Sequence, residues 1–342
     1  MREYPAKLFC FSLLSCKKCH IVYALMHMSD ISAFQKNISL KDHNTYRIGG
    51  SADLFFEAHD RVSLIAAIRE MRMQNTPYYL LGGGTNVLVA DEGFRGAIVK
   101  VKHQTNDVRD DVIVADAGMP MGALIIKAQS LGLSGLEWAA GLPGTVGGAI
   151  FGNAGSHGGE MKDMVIAVET YDPKTDTVKE CGSSACGFGY RHSAFQENGM
   201  IIVRATLQLH HDDPAHIATR MKDIVAKRIA HQPLAQRSEG CVFKNIELAY
   251  SEEGREAITQ NEEFSVFRGA RFLPAGAVID TAGLKGTRIG GACVSEHHGN
   301  FIVNEHNASA RDIIALIETI RARVKEKYGI ILAEEIKIVR NT

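Results

Sequence analysis

Six glycines fall within the fifteen residues from Gly141 to Gly155, and this stretch constrains the chain more than any other. Fixing so much side-chain-free backbone costs conformational entropy, so it belongs where the main chain must lie close against something flat or charged. A large planar cofactor meets that need. A second run, Gly82, Gly83, Gly84, Thr85 and Asn86, follows the apolar segment Pro77–Leu81. Its N–H groups can approach an anion closely, which suits a pyrophosphate. It lacks the lysine of a P-loop and the Gly-x-Gly-x-x-Gly spacing that opens a helix in dinucleotide-binding folds. Taken alone it is equally well a tight turn between strands. Taken with the longer run, it points to one extended ligand.

Composition narrows the class. At 342 residues, 45% hydrophobic and 23% charged, the chain has room for two domains with cores of their own. Its 38 Lys and Arg balance 39 Asp and Glu, so no basic field attracts nucleic acid and a small-molecule partner fits better. No apolar run approaches the roughly 18 residues that would span a bilayer, so no membrane partner is expected. Seven irregularly spaced cysteines, an odd number, argue for reduced thiols and a cytoplasmic location rather than a disulfide framework. Leu8 to Cys16 resembles a short signal segment, and Cys16, Cys19 and His20 form the pattern of a c-type haem attachment. Nothing further along the chain supports export or haem ligation. Residues 1–29 are therefore expected to be a loosely ordered extension, or to precede a start at Met26 or Met28. No metal is expected.

Regular organisation begins near Asp30. Strands are expected at Ala52–Ala58, Pro77–Leu81, Val87–Ala90, Gly96–Val101, Val112–Ala117, Val165–Tyr171, Met200–Leu209 and Ile330–Val339. A helix capped by Asp60 should bury Leu64, Ile65 and Ile68, and another should run from Met121 to Leu131. Gly141–Glu160 is expected to be a loop. Asp212-Asp213-Pro214 suits a boundary and the start of a helix reaching Ile229. Ser309–Tyr328 repeats Ile313, Ile317, Ile320 and Val324 at helical spacing and ends at Gly329, where a left-handed cap would go.

Six ordered segments resemble the MurB family of UDP-N-acetylenolpyruvoylglucosamine reductases: Asn44–Gly50, Gly82–Leu88, Gly141–Gly148, Gly189–Phe195, Gly240–Asn245 and Asn300–Asn304. The resemblance covers about Asp30 to Val339. It implies an α+β fold: a vanillyl-alcohol-oxidase or PCMH-type FAD-binding domain over 30–212, in subdomains of about 30–101 and 102–212, followed by a smaller substrate-binding domain over 213–342. It implies that NADPH reduces FAD and that hydride then passes to UDP-N-acetylglucosamine enolpyruvate, giving UDP-N-acetylmuramate for peptidoglycan, in an enzyme expected to be monomeric. The cofactor-facing positions would be Gly82, Gly83, Gly84, Thr85, Asn86, Val87, Pro143, Gly144, Thr145, Gly147, Gly148, Asn153 and Gly155. Another flavin oxidoreductase on this domain type, such as an alcohol oxidase, would explain the glycine runs but not the family motifs that follow them.

Hydride addition to an enol ether bearing a carboxylate builds negative charge, so the site needs cations aimed at it and a donor that can protonate carbon. Arg191 matches the family's arginine, and its fork can grip a carboxylate. Cys241 stands where many members carry the proton-donating serine, and a thiol gives up its proton more readily than a hydroxyl. Glu335 matches the family's C-terminal glutamate; its neighbour Glu334 would share a face with Leu332, Ile336 and Ile338, where burial would be costly. Asn245 matches a substrate-contacting asparagine, with Lys244 before it. His157 stands where the family often has a substrate-touching tyrosine, and could bind a phosphate if protonated. The short stretch from Leu209 to Gln232 places the chain in the subgroup without the tyrosine-bearing insertion. The lysine that meets the diphosphate in longer members has no counterpart, leaving Lys227, Arg228 or Arg237 to supply the charge.

Overall fold

A computed structural model describes residues 33–341. The cysteine pattern and apolar stretch before Met28 lie outside them. Two sheets carry the first half of the chain. The first takes β1 (Gln35–Ser39) and β2 (Ser51–Ala58), then, beyond helix α1 (Arg61–Met73), β3 (Tyr78–Leu81) and, after β4 (Val87–Val89), β5 (Phe94–Val101). Its order is β1-β2-β5-β3, with β2 and β3 both parallel to β5 and β1 antiparallel at the edge. Asp60 caps α1 in a reciprocal box with Ser63, and Leu64, Ile65 and Ile68 are buried.

The second sheet is antiparallel throughout. It contains β6 (Asn106–Arg109) and β7 (Val112–Asp116), and, after helices α2 (Met121–Ser130) and α3 (Val146–Phe151), β8 (Val165–Asp172), β9 (Thr177–Gly182) and β10 (Ile201–Gln208). Their order is β9-β8-β10-β7-β6. The stretch expected to be a continuous loop thus contains α3. Thr145 caps it, its hydroxyl accepting from Gly148 N–H at 3.3 Å. The glycines that argued against a helix are needed for its placement: a Cβ on Gly147 would lie 2.8 Å from the Cβ of Ala117, at the end of β7.

Helix α4 (Pro214–His231) begins where expected, with Asp213 accepting from Ala215 N–H at 2.7 Å. It packs on α2 and on the turn at Glu137–Ala139, so the helix following the expected boundary leans on the first half of the molecule. A separate core gathers helices α5 (Glu252–Gln260) and α6 (Ala275–Thr281), strands β11 (Ala292–Val294) and β12 (Ile302–Asn304), and helix α7 (Ala310–Tyr328). Helix α7 has its Ser309 cap and its left-handed Gly329, with Ile313, Ile317, Ile320 and Val324 buried. Only β13 (Lys337–Val339) of the expected closing strand joins a ladder, running parallel to β4. The chain end therefore returns to the glycine-run half. Among the described residues no helix is long and apolar enough to cross a membrane.

Candidate active site

The two glycine runs lie against each other. A Cβ on Gly83 would sit 2.8 Å from Gly144 Cα, one on Gly82 2.7 Å from Thr145 Oγ1, and one on Gly144 2.9 Å from Thr85 Oγ1. Neither run could carry side chains there. Among the described residues, the N–H groups of Gly83, Gly84, Thr85 and Asn86 donate to no protein acceptor, and Gly83 and Asn86 are exposed. Successive free N–H groups beside a wall without side chains form a cradle suited to a pyrophosphate, so the residues present fit FAD. Gly84 has φ +65° and a Cβ there would lie 2.0 Å from His43 O. Gly84→Ala is expected to cost more than the roughly 1–2 kcal/mol of a left-handed alanine. Gly158→Ala, at φ +89° with nothing within 4 Å of the added Cβ, should cost only that strain; thermal melts of the two variants compare them.

Not every expected cofactor position faces the cradle. Val87 is buried and its N–H donates to Glu239 at 3.0 Å. Gly147 N–H donates to Ala117 O at 2.8 Å. Asn153 is fully buried, its amide donating to Glu160 Oε2 at 2.7 Å and Gly189 O at 2.8 Å while its oxygen accepts from Lys162 N–H at 3.0 Å. Gly155 O accepts from Arg191 Nη2 at 2.8 Å. These four have their polar groups taken by protein, and Asn153 and Gly155 support the arginine turn instead.

That turn is strained. Arg191 has φ +51°, a left-handed conformation that a non-glycine residue adopts at a cost of about 1–3 kcal/mol. Its Nε donates to Glu335 Oε1 at 2.7 Å, and reciprocal backbone bonds between Gly189 and His192 close the turn. Glu334 points elsewhere, pairing with Arg321 of α7 at 3.0 Å. Backbone bonds bring the Cys241 segment alongside: Glu335 N–H donates to Val242 O and Lys244 N–H to Ala333 O, both at 2.8 Å. On its other side Asn300 clamps Phe243, donating to its carbonyl at 2.8 Å and accepting from its N–H at 2.9 Å.

Arg191, Glu335 and Cys241 thus converge from three distant segments. Burial pushes the half-buried Cys241 thiol up to about 12, with Glu335 adding to the effect and Arg191 opposing it. Burial also raises the Glu335 carboxyl, against the pull of Arg191 and Lys244. The thiol is consequently a proton-bearing group at neutral pH, not a thiolate. Asn245 serves the frame: its N–H donates to Tyr190 Oη at 3.0 Å and its side-chain oxygen accepts from Ala275 N–H at 3.1 Å. Tyr190, adjacent to Arg191 and stacked on Phe272 at 4.4 Å, ties the arginine turn to the cysteine segment. Sequence reasoning assigned no role to Tyr190 or Asn300; both sit inside motif segments, which was the only signal.

Of the three cations left open for the diphosphate, Lys227 and Arg237 are exposed. Arg228 is 5% exposed, forms no ion pair among the described residues, donates through Nη2 to Trp138 O at 3.4 Å and leaves its Nε unpartnered. A buried guanidinium without a counterion attracts an anion. His157 stands beside a cleft of about 410 Å³ lined also by Trp138, Arg220 and Lys227. Burial lowers its pKa, and Arg228 and Lys227 lower it further.

An FAD binding domain model matches residues 52–182, and the model of the UDP-N-acetylenolpyruvoylglucosamine reductase C-terminal domain matches residues 232–339. The UDP-N-acetylenolpyruvoylglucosamine reductase of Caldanaerobacter subterraneus subsp. tengcongensis is 38% identical over 304 residues, 89% of this chain and 92% of its own. That of Carboxydothermus hydrogenoformans is 37% identical over 306 residues, 89% of this chain and 93% of its own. The crystal structure of the Thermus caldophilus enzyme superposes with a TM-score of 0.72 at 32% identity, covering 90% of this chain and all of that one.

Proposed function

Because the chain belongs to the MurB family of UDP-N-acetylenolpyruvoylglucosamine reductases, FAD-dependent oxidoreductases, we propose that it uses NADPH to reduce UDP-N-acetylglucosamine enolpyruvate to UDP-N-acetylmuramate, in the cytoplasm and as a monomer. FAD, bound along Gly82–Asn86 and Pro143–Thr145, would supply the hydride that NADPH had given it. Arg191 grips the substrate carboxylate through its free Nη1, while Glu335 fixes the guanidinium plane and Gly155 O holds Nη2. As the vinyl carbon accepts hydride, negative charge spreads toward that carboxylate and meets the cation. Cys241 Sγ–H then protonates the adjacent carbon, so one hydride and one proton complete the lactyl ether. The resulting thiolate recovers its proton from solvent or from Glu335.

Arg228 and Lys227 fit the diphosphate, with Lys244 and His157 as further polar contacts. Convergence of Arg191, Glu335 and Cys241 beside the glycine cradle carries this reading. An anaerobic sample reconstituted with FAD should oxidise NADPH beyond a single equivalent per flavin only when the enolpyruvyl nucleotide is present, and mass spectrometry should find a product heavier by two hydrogens. Sustained anaerobic turnover without that nucleotide, or none with it, would contradict it.

A further inference from the structure

One buried acid takes no part in the chemistry above. Glu239 is 3% exposed and lies two residues before Cys241, across Gly240 at φ +81°. Its Oε1 accepts from Tyr46 N–H at 2.9 Å and its Oε2 from Val87 N–H at 3.0 Å. Tyr46 and Val87 come from the first half of the sequence, the Tyr46 side chain reaching into the core of the second: Thr45 N–H bonds to Gly84 O, and Val87 follows the glycine run and begins β4. The same junction is fastened from the other side, since Asn304 donates to Tyr46 O at 2.8 Å and its N–H donates to Arg237 O at 2.9 Å. Burial raises the Glu239 carboxyl, and the hydrogen bonds it accepts from Tyr46 and Val87, together with Thr45, oppose that shift and favour the ionised form. An acid kept in so dry a place at such cost has a use for both of its oxygens.

We infer that Glu239 is a positioning residue, whose carboxylate clasps Tyr46 and Val87 and so holds the Cys241 segment at a fixed distance from the glycine cradle. The inference rests on the proposed reaction, in which Cys241 must deliver its proton to a carbon held over the cofactor in that cradle. Glutamine tests it without changing volume. Both oxygens of Glu239 face N–H donors, so the amide nitrogen of a glutamine would meet one of them donor to donor and release one arm of the clasp. Glu239→Asp keeps both acceptors but is one methylene short of spanning the two.

The experiment is stopped-flow on the full FAD-loaded chain, with flavin reduction by NADPH and reoxidation by the enolpyruvyl nucleotide measured separately. Glu239→Gln should slow reoxidation by about tenfold to 10²-fold, the scale of a misplaced reacting group, and leave reduction within about twofold of wild type. Glu239→Asp should fall between. In a Cys241→Ala background, Glu239→Gln should add little, because it acts through the donor already removed. Equal slowing of both half-reactions, no slowing, or fully additive losses would overturn the inference, as would loss of FAD from both Glu239 variants. Failure of the wild type to be reoxidised by the nucleotide would overturn the proposed function itself, a separate result.

Discussion

Cys241→Ala is expected to slow reoxidation of the reduced flavin by the enolpyruvyl nucleotide by about 10² or more, the scale of a lost general acid. Reduction by NADPH needs no proton from this residue and should proceed at the wild-type rate. Cys241→Ser keeps a short donor on the same backbone, whose position is set by Val242, Phe243 and Asn300, and should retain much of the activity. The direction of the thiol's shift adds a second readout. With its pKa pushed up to about 12, Cys241 should resist alkylation at neutral pH, and no basic limb from its ionisation should appear between pH 7 and about 10. The sign for stability follows. A folded pKa above the unfolded value of about 8.5 means that the native state holds the proton more tightly, so this contribution is present below that pH and lost as pH rises toward 12.

Removal of Arg191 should be at least as damaging. Arg191→Lys keeps a charge but loses the fork shared between Glu335, Gly155 and the substrate, and the rate of reoxidation should fall by about 10²-fold. Arg191→Ala removes the charge as well and should cost about 10³-fold, again in the second half-reaction. On the proposed reading, in which the residue stabilises charge that develops during hydride transfer, kcat should fall more than KM rises. Glu335, stripped of its main cationic neighbour, should become protonated at still higher pH, since the pull of Arg191 opposes its burial. Half-reaction kinetics across a pH series would check both effects.

What could be read in advance followed the physical signal each element carries. Helices α1 and α7 announced themselves through Asp60 and Ser309 at their starts and through buried positions three and four apart, and α4 through the polar pair ahead of Pro214. Strands β1, β6 and β9 did not, because each is a sheet-edge strand with mostly exposed residues and therefore no alternation. Helix α3 was hidden by Gly147 and Gly148, which lower helix propensity but allow its close approach to Ala117. Most of Ile330–Val339 is extended without being laddered, since its middle is occupied in bonding the Cys241 segment.

The site was legible at a different level. Arg191, Cys241 and Glu335 came from motif resemblance, and the separation of Glu335 from Glu334 came from alternation alone. The supporting residues were not legible. Tyr190, Asn300 and Glu239 act through bonds to backbone groups 55 to 193 positions away in sequence, a relation that no local pattern encodes. Asn153 illustrates the converse: its place among the glycines suggested a cofactor contact, while its amide is used entirely within the protein.

The proposed reaction passes hydride from a flavin to an enolpyruvyl nucleotide and is completed by a proton from Cys241. The most direct measurement mixes anaerobically reduced, FAD-loaded protein with UDP-N-acetylglucosamine enolpyruvate and follows the return of oxidised-flavin absorbance in wild type and in Cys241→Ala. Rapid, stoichiometric reoxidation is expected in wild type, with UDP-N-acetylmuramate as product, and reoxidation slower by about 10² in the variant. Equal rates in the two proteins would assign the proton to another group, and no reoxidation in the wild type would contradict the function itself.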